Sequence, residues 1–449
     1  MRIRAILLFL LTLTVCLIFG HSSASPSRAA LQIAYTSAER FENGAWLKGG
    51  ERFPAGAAIY VWDGKRSNKL TSDFYAAADP EISFDGAKIL FAGKKSAADP
   101  WQIWEIGKDG SGLRQIVSSK DDVIRPLYLP QGFVVYARRH DGAFQLEKQA
   151  IDGGAPLILF HSPGSALPTD VLRDGRILFE SAYPLGGKVA EIYTIYTDGS
   201  GVESYRCDHG SSRSGGKQVS SGDIIFARGS GLGRFTSPLA HEVALDIPKG
   251  EYAGDLAEAS DDEWIVSQRS ESTKRFVLMK WNVTSKSLTP LLSSDSQLVE
   301  PRIVSPRTVP NRHPSALHDW TTANLLALNV YTSKYPFPKD SIATVRLYTM
   351  NSTGDSKVLG TAPVEKDGSF YLKVPGDQPL KFELLDRAGR TLKKQEGWMW
   401  ARRGEQRICV GCHAGPEHSP DNAMPAVLLR SAIPADLAGS AVEPRTGGN

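Results

Sequence analysis

The chain has 449 residues, with 52 basic and 49 acidic side chains, 42 glycines and 27 prolines. A formal net charge of +3 supplies no electrostatic argument for nucleic-acid binding, which we therefore exclude as a first hypothesis. The length exceeds one ordinary domain, and the many turn-forming residues favour a mostly β protein with few long helices.

Residues 1–24 have the layout of a cleavable export signal. Arg2 and Arg4 precede an apolar run over residues 5–19, and small residues follow up to Ala24, where we place the cleavage. The run is short for a membrane span, and the residues before Cys16 do not form a lipoprotein signal. We therefore expect a soluble periplasmic or secreted protein with no stable membrane span after cleavage.

Residues 31–300 repeat a unit of roughly 40 to 47 residues, a period typical of β-propellers. The clearest copy, residues 79–116, has four short apolar segments separated by the turns Asp85-Gly86 and Asp109-Gly110. Weaker copies lie at residues 33–70, 127–160, 170–206, 219–247 and 256–292. The repeats predict a six-bladed propeller. The turn that begins at Asp198-Gly199 resembles those of the periplasmic Tol-system propeller.

One segment of the repeat region departs from the blade pattern. Cys207 and His209 flank an aspartate, and this spacing can supply a thiolate and an imidazole to one metal ion from a loop. The alternative is a buried free thiol beside a surface histidine. Both interpretations stay open.

A linker rich in proline and arginine follows at residues 301–324, and it contains Arg302, Arg307 and Arg312. Residues 325–400 then show alternating strand patterns and turns, which predict an antiparallel β-sandwich. Its last predicted strand carries Trp398 and Trp400, which would face the same side because side chains alternate along a strand.

The segment 401–430 contains Cys409, Cys412 and His413 in the spacing Cys-x-x-Cys-His. This pattern is the covalent attachment signature of haem c, in which two thiols bond the porphyrin and the histidine ligates iron. A structural disulfide and a zinc knuckle are the alternatives. His418 and Met424 are the nearest candidates for a second iron ligand.

The short segment after the motif leaves no room for a helical cytochrome c fold, and residues 431–449 read as a disordered tail. The haem would therefore take its walls from the sandwich and the propeller. Trp398 and Trp400 either stack on the porphyrin or fill the sandwich core. The three linker arginines are either solvated or paired with the haem propionates.

The order of these domains, together with Trp398-Met399-Trp400 and Gly404-Glu405-Gln406-Arg407 before the motif, resembles the hydrazine synthase alpha subunit family. The resemblance implies one haem in a middle domain after a propeller. It also implies a zinc ion shared by the motif histidine and a distant cysteine, roles that would fall on His413 and Cys207, with His209 as a further ligand. The family has an iron-binding tyrosine after the motif and another haem domain. Residues 414–419 contain no tyrosine, and we expect a single haem.

Three functions are consistent with these patterns. The first is an exported haem c protein that transfers electrons or serves as a redox subunit, with redox proteins or other subunits of a periplasmic complex as partners. The second is a haem and metal oxidoreductase that acts on a small nitrogen or oxygen species. The third is a propeller binding module with a structural haem, so whether the protein is an enzyme stays open.

Overall fold

The computed structural model describes residues 31–182, 190–206, 212–333, 337–351, 354–395, 397–411 and 422–439. Within these residues the strands form eight four-stranded sheets, six between residues 33 and 303 and two between residues 322 and 436. The predicted class, an all-β propeller followed by a β-sandwich, is confirmed.

The six sheets of the propeller are its blades, and neighbouring strands within each blade are antiparallel. A 3-10 turn at Trp46–Lys48 interrupts the first connection. In chain order the strands are β1 (Ile33–Ala38), β2 (Ala58–Trp62), β3 (Ser67–Lys69), β4 (Ala76–Ile82), β5 (Lys88–Lys94), β6 (Gln102–Gly107), β7 (Arg114–Val117), β8 (Val123–Leu129), β9 (Phe133–His140), β10 (Ala143–Ala150), β11 (Leu157–Ile158), β12 (Ser165–Val171), β13 (Ile177–Ala182), β14 (Ala190–Ile195), β15 (Glu203–Ser204), β16 (Arg213–Gln218), β17 (Ile224–Arg228), β18 (Gly231–Phe235), β19 (Val243–Ala244), β20 (Glu251–Ser260), β21 (Glu263–Arg269), β22 (Val277–Asn282), β23 (Ser287–Leu292) and β24 (Gln297–Ile303).

The ring is closed by pairing of the last strand with the first. Strand β24 lies beside β1, with Ile303 opposite Ile33 and Leu298 opposite Ser37, so the first blade has the order β24-β1-β2-β3. The other blades each use four consecutive strands, so that the fourth blade is β12–β15. Because β24 ends at Ile303, the first residues of the predicted linker belong to the propeller.

The inner strands bulge where they approach the propeller axis. Register shifts interrupt the pairing of β4 between Ala78 and Glu81 and that of β8 between Ile124 and Leu127. At these bulges Asp79 and Arg125 have φ of 59° and 54°, in the left-handed region that side-chain-bearing residues rarely adopt. The extra residue of each bulge thereby brings a charged side chain to the propeller centre.

These side chains form a buried ionic cluster. Arg52 contacts Asp79 at 3.3 Å, Asp255 at 3.4 Å and Glu300 at 2.5 Å. Arg125 contacts Asp255 at 3.4 Å. Burial, and then the neighbouring Glu300, raise the pKa of Asp79 well above its usual range, so this carboxyl keeps a proton that an exposed aspartate would lose.

Two linker arginines belong to the same cluster, which corrects both interpretations of the sequence. Arg302 contacts Glu81 and Asp255, each at 3.2 Å, and Arg307 is ion-paired with Glu81. The Arg302 side chain is 11% exposed and the Arg307 side chain 34% exposed, and both are already paired with carboxylates of the propeller. Arg312 is exposed.

The second domain is a sandwich. Its elements are β25 (Thr322–Ala327), β26 (Thr344–Met350), β27 (Ser356–Pro363), β28 (Phe370–Pro375), β29 (Leu380–Leu385), β30 (Thr391–Lys394), β31 (Gln406–Cys409), α1 (Ala426–Arg430) and β32 (Ala435–Asp436). The sheet orders are β31-β25-β28-β32 and β27-β26-β29-β30. Strands β31 and β32 come from beyond the predicted end at residue 400 and pair in parallel with β25 and β28, whereas the remaining pairs are antiparallel as predicted. Among the described residues, no helix has the length and apolar character needed to cross a bilayer.

The ionic cluster predicts different outcomes for two isosteric substitutions. The pKa of Asp79 is higher in the folded protein than in the unfolded chain, so the folded protein binds more protons at pH values between the two. Wild-type stability therefore falls as pH rises from about 4 towards the raised pKa. Asp79→Asn removes this titration, so we expect a free energy of unfolding that depends less on pH in that window. Urea denaturation across pH measures it.

Asp255→Asn is the matched control. Burial alone would raise the pKa of Asp255, but Arg125, Arg302 and Arg52 hold it well below its usual value. Loss of this anion leaves an excess of positive charge in the buried cluster, and we expect destabilisation by about 3–5 kcal/mol at pH 7. Equal destabilisation by the two substitutions would contradict the protonation assigned to Asp79.

Candidate functional site

The first cysteine of the Cys-x-x-Cys-His motif lies at the end of an ordered strand. In β31, Arg407 is opposite Leu325 and Cys409 is opposite Ala327, and the carbonyl oxygen of Cys409 accepts a hydrogen bond from Leu328 N at 2.9 Å. The sheet thereby fixes the backbone position of Cys409. Cys412 and His413 lie outside the described residues.

A cavity of about 270 Å³ lies beside this strand, between the propeller and the sandwich. Its sandwich wall includes Leu325, Phe370, Phe382, Trp398 and Cys409. Its propeller wall is formed by residues of the fourth and fifth blades, namely Tyr193, Val202, Glu203, Ser204 and Leu239.

The alternation of side chains along β31 explains which residues reach the cavity. Arg407 and Cys409 line it, whereas the intervening Ile408 is 63% exposed. On the opposite wall the Tyr193 hydroxyl donates to Glu191 Oε2 at 3.0 Å. Sequence reasoning missed Tyr193 because its place in the cavity depends on contact between two domains, for which the chain has no local signal.

Residues 400–407, the docking segment, attach the sandwich to the propeller. Trp400 is 2% exposed and packs in the apolar core formed by the third and fourth blades, with its ring centroid 5.0 Å from that of Phe160. The sequence placed Trp398 and Trp400 on one face of a strand. This is wrong, because only the backbone bridge between Leu380 and Met399 pairs this stretch, and Trp398 alone of the two lines the cavity.

Arg402 makes the polar contacts at the centre of the docking segment. Its guanidinium donates to Asp198 O at 3.0 Å, to Asp377 Oδ1 at 2.7 Å and to His161 Nε2 at 2.7 Å. Burial lowers the pKa of His161 to about 4, so at neutral pH this ring is uncharged and can accept the hydrogen bond.

Glu405 and Arg407 continue the attachment along the turn that precedes β15. Glu405 Oε1 accepts from Gly201 N at 3.1 Å, and its Oε2 accepts from Arg402 N at 2.7 Å. Arg407 Nη2 donates to Val202 O. The turn after Asp198-Gly199, which the sequence analysis assigned to a blade, therefore also anchors the motif strand.

Two glycines allow the chain to pass close to neighbouring backbone here. Gly404 has φ of 76°, and a Cβ atom there would lie 1.8 Å from His318 O. A Cβ atom on Gly411, within the motif, would lie 1.9 Å from Thr332 O. A larger residue at Gly404 would displace the motif strand or the backbone at His318, and one at Gly411 would displace the motif or the loop after β25.

The other predicted ligands are not brought to the cavity by the described part of the chain. Met424 is 63% exposed and does not line the cavity. Cys207, His209 and His418 lie outside the described residues, so the zinc hypothesis for Cys207, His209 and His413 stays a prediction. Within the described ranges, no three His, Cys, Asp or Glu side chains are grouped as a metal site requires.

The docking segment predicts a large stability loss for Trp400→Ala. Truncating a buried tryptophan removes apolar contacts and leaves a cavity, which costs about 3–5 kcal/mol in comparable cores. Trp320→Ala is the control, because Trp320 is 42% exposed and should lose far less. The free energy of unfolding in urea measures both, and similar losses would contradict the anchoring role of Trp400.

Comparison with known proteins agrees with this architecture. Residues 336–414 match the family model of the hydrazine synthase alpha subunit middle domain. Hydrazine synthase subunit alpha of Kuenenia stuttgartiensis is 36% identical over 106 residues, which make up 23% of this chain and 13% of that protein. The Kuenenia stuttgartiensis hydrazine synthase structure matches 89% of this chain and 72% of its own with a TM-score of 0.75 at 19% identity, which shows a shared fold. The chain is therefore related to the hydrazine synthase alpha subunit, with residues 336–414 carrying the relationship in sequence.

Proposed function

We propose that this protein is an exported redox protein carrying one haem c, attached through Cys409 and Cys412 with His413 as an iron ligand. The position of Cys409 is the observation that carries the proposal. The motif strand ends on the wall of a cavity that two domains enclose, where a covalently attached macrocycle would be held away from water.

The residues present fit such a group. Phe370, Phe382, Leu325 and Leu384 give the cavity the apolar surface that a porphyrin face requires, and Trp398 adds an aromatic wall. A haem supplies one-electron transfer when bound, with a potential set by its ligands and its burial. The chain's own contribution is to fix the attachment strand by the pairing of β31 with β25 and to exclude water from the cavity.

Two observations support the proposed export and the proposed protein partners. Arg2, Arg4 and the apolar run that follows them support export to an oxidising compartment, where the paired thiols would need haem or a disulfide to stay protected. A relative named as subunit alpha supports other protein subunits or redox proteins as partners. The propeller provides a rigid platform for such a partner as well as a wall for the cavity.

The proposal predicts one covalent haem per chain. Pyridine haemochrome spectra of denatured protein, matured in cells that attach haem, should show a c-type spectrum at that stoichiometry. Cys409→Ala should leave at most one thioether bond and change the haemochrome spectrum, whereas Cys207→Ala should not. Haem that extracts into acidified organic solvent from the unsubstituted protein would contradict covalent attachment.

Binding of carbon monoxide to the reduced protein distinguishes an electron carrier from an enzyme that acts on a small nitrogen or oxygen species. An electron carrier whose iron has two protein ligands should show a reduced spectrum that carbon monoxide leaves unchanged. A shifted spectrum would reveal an open iron position and would favour an oxidoreductase that acts on a small nitrogen or oxygen species.

A further inference from the structure

Two buried hydrogen-bond donors of the cavity wall have no acceptor among the residues that the structure describes. The Trp398 indole Nε1 and the Arg407 Nη1 are both buried, and neither has a hydrogen-bond partner in the described part of the chain. An unsatisfied buried donor costs about 1–3 kcal/mol. Trp400 Nε1 also lacks an acceptor among the described residues, but the Trp400 ring packs in the propeller core and does not line the cavity.

Arg407 is anchored through Nη2, and its Nη1 has no hydrogen-bond acceptor among the described residues. Its Nη2 donates to Val202 O, which anchors the guanidinium at the turn of the fourth blade. Its Nη1 lies 3.6 Å from Glu405 Oε1, which is too far for a hydrogen bond. Glu405 is already used by the backbone N–H groups of Gly201 and Arg402.

Trp398 adds a neutral donor next to a cation. Its side chain is buried, and the Lys381 ammonium lies 4.5 Å from its ring centroid. The charged residues of the cavity wall are Lys393, Arg407 and Glu203, and Glu405 lies 3.6 Å from the Arg407 guanidinium. The two buried donors, Trp398 Nε1 and Arg407 Nη1, therefore indicate a ligand that presents a hydrogen-bond acceptor to both.

We propose that Arg407 and Trp398 form a carboxylate subsite that binds a propionate of the haem, an assignment that rests on the function proposed above. A guanidinium is suited to a carboxylate by geometry and charge, and an indole N–H supplies one further donor. Strand alternation places Arg407 on the cavity side with Cys409, so one strand supplies both the thioether and the carboxylate partner. Of the three linker arginines that the sequence singled out, Arg302 and Arg307 are already paired with Glu81, and Arg312 does not line the cavity.

The test is the pH dependence of the haem reduction potential. An ionised propionate stabilises the oxidised haem, so the potential falls as pH rises through the propionate pKa. Arg407 holds that pKa low, and Arg407→Gln should raise the redox-linked pKa by about 1–3 units. Trp398→Phe keeps the ring and loses only the N–H, and should raise it by about 1 unit or less.

Arg403→Gln is the matched control, because the Arg403 side chain is 57% exposed and pairs with Asp377 rather than lining the cavity. It should leave the redox-linked pKa unchanged, and Arg407→Lys should restore much of the wild-type value. Resonance Raman spectra give an independent reading, since the propionate bending band should shift in Trp398→Phe and Arg407→Gln alone.

The outcomes separate this subsite from the function on which it rests. An unsubstituted protein without covalent haem overturns both. Covalent haem in every variant, with the same redox-linked pKa and propionate band in Arg407→Gln, Trp398→Phe and Arg403→Gln, overturns the carboxylate subsite and leaves the haem protein in place.

Discussion

The attachment of residues 400–407 to the fourth blade is the contact on which the cavity depends. Trp400 inserts into the propeller core, while Arg402 and Glu405 bind backbone groups of the turn at Asp198 to Gly201. The apolar insertion supplies most of the binding free energy, because a fully buried aromatic ring removes a large area from water. The polar contacts fix the orientation of the segment, since hydrogen bonds weaken steeply when their distance or angle departs from the preferred geometry. A loose attachment would open the cavity along its propeller wall.

The propeller could be predicted from sequence because each blade is built from local signals. Asp-Gly turns and short apolar strands recur along the chain, and sequential strands of a blade pair with their neighbours. The closing strand β24 has no such local partner. Its pairing with β1 joins residues more than 250 positions apart, so the sequence could not show that Arg302 faces Glu81 and Asp255 rather than solvent.

The same distinction bears on the candidate site residues. Cys409 could be selected as a candidate because its neighbours in sequence form the motif. Trp398 and Trp400 were assigned to one face because alternation was assumed, but this stretch has an isolated bridge at Met399 instead of a strand, and Trp398 lines the cavity whereas Trp400 packs in the propeller core. Tyr193 and Val202 belong to the site only through docking. Residues that act through contact between domains leave no pattern in the sequence of either domain.

The distribution of similarity among relatives has a physical explanation in these contacts. The fold match extends over 89% of the chain at 19% identity, whereas the family model covers residues 336–414, which include the whole docking segment and the first cysteine of the Cys-x-x-Cys-His motif. A blade tolerates any apolar residue of suitable size on its inward faces, because hydrophobic packing has little directional specificity. The docking segment requires the hydrogen bond that the Arg402 guanidinium donates, those that the Glu405 carboxylate accepts, and a close backbone approach that only a glycine at position 404 allows. Each of these requirements restricts the residue type at its position, and all of these positions lie within the range that the family model matches.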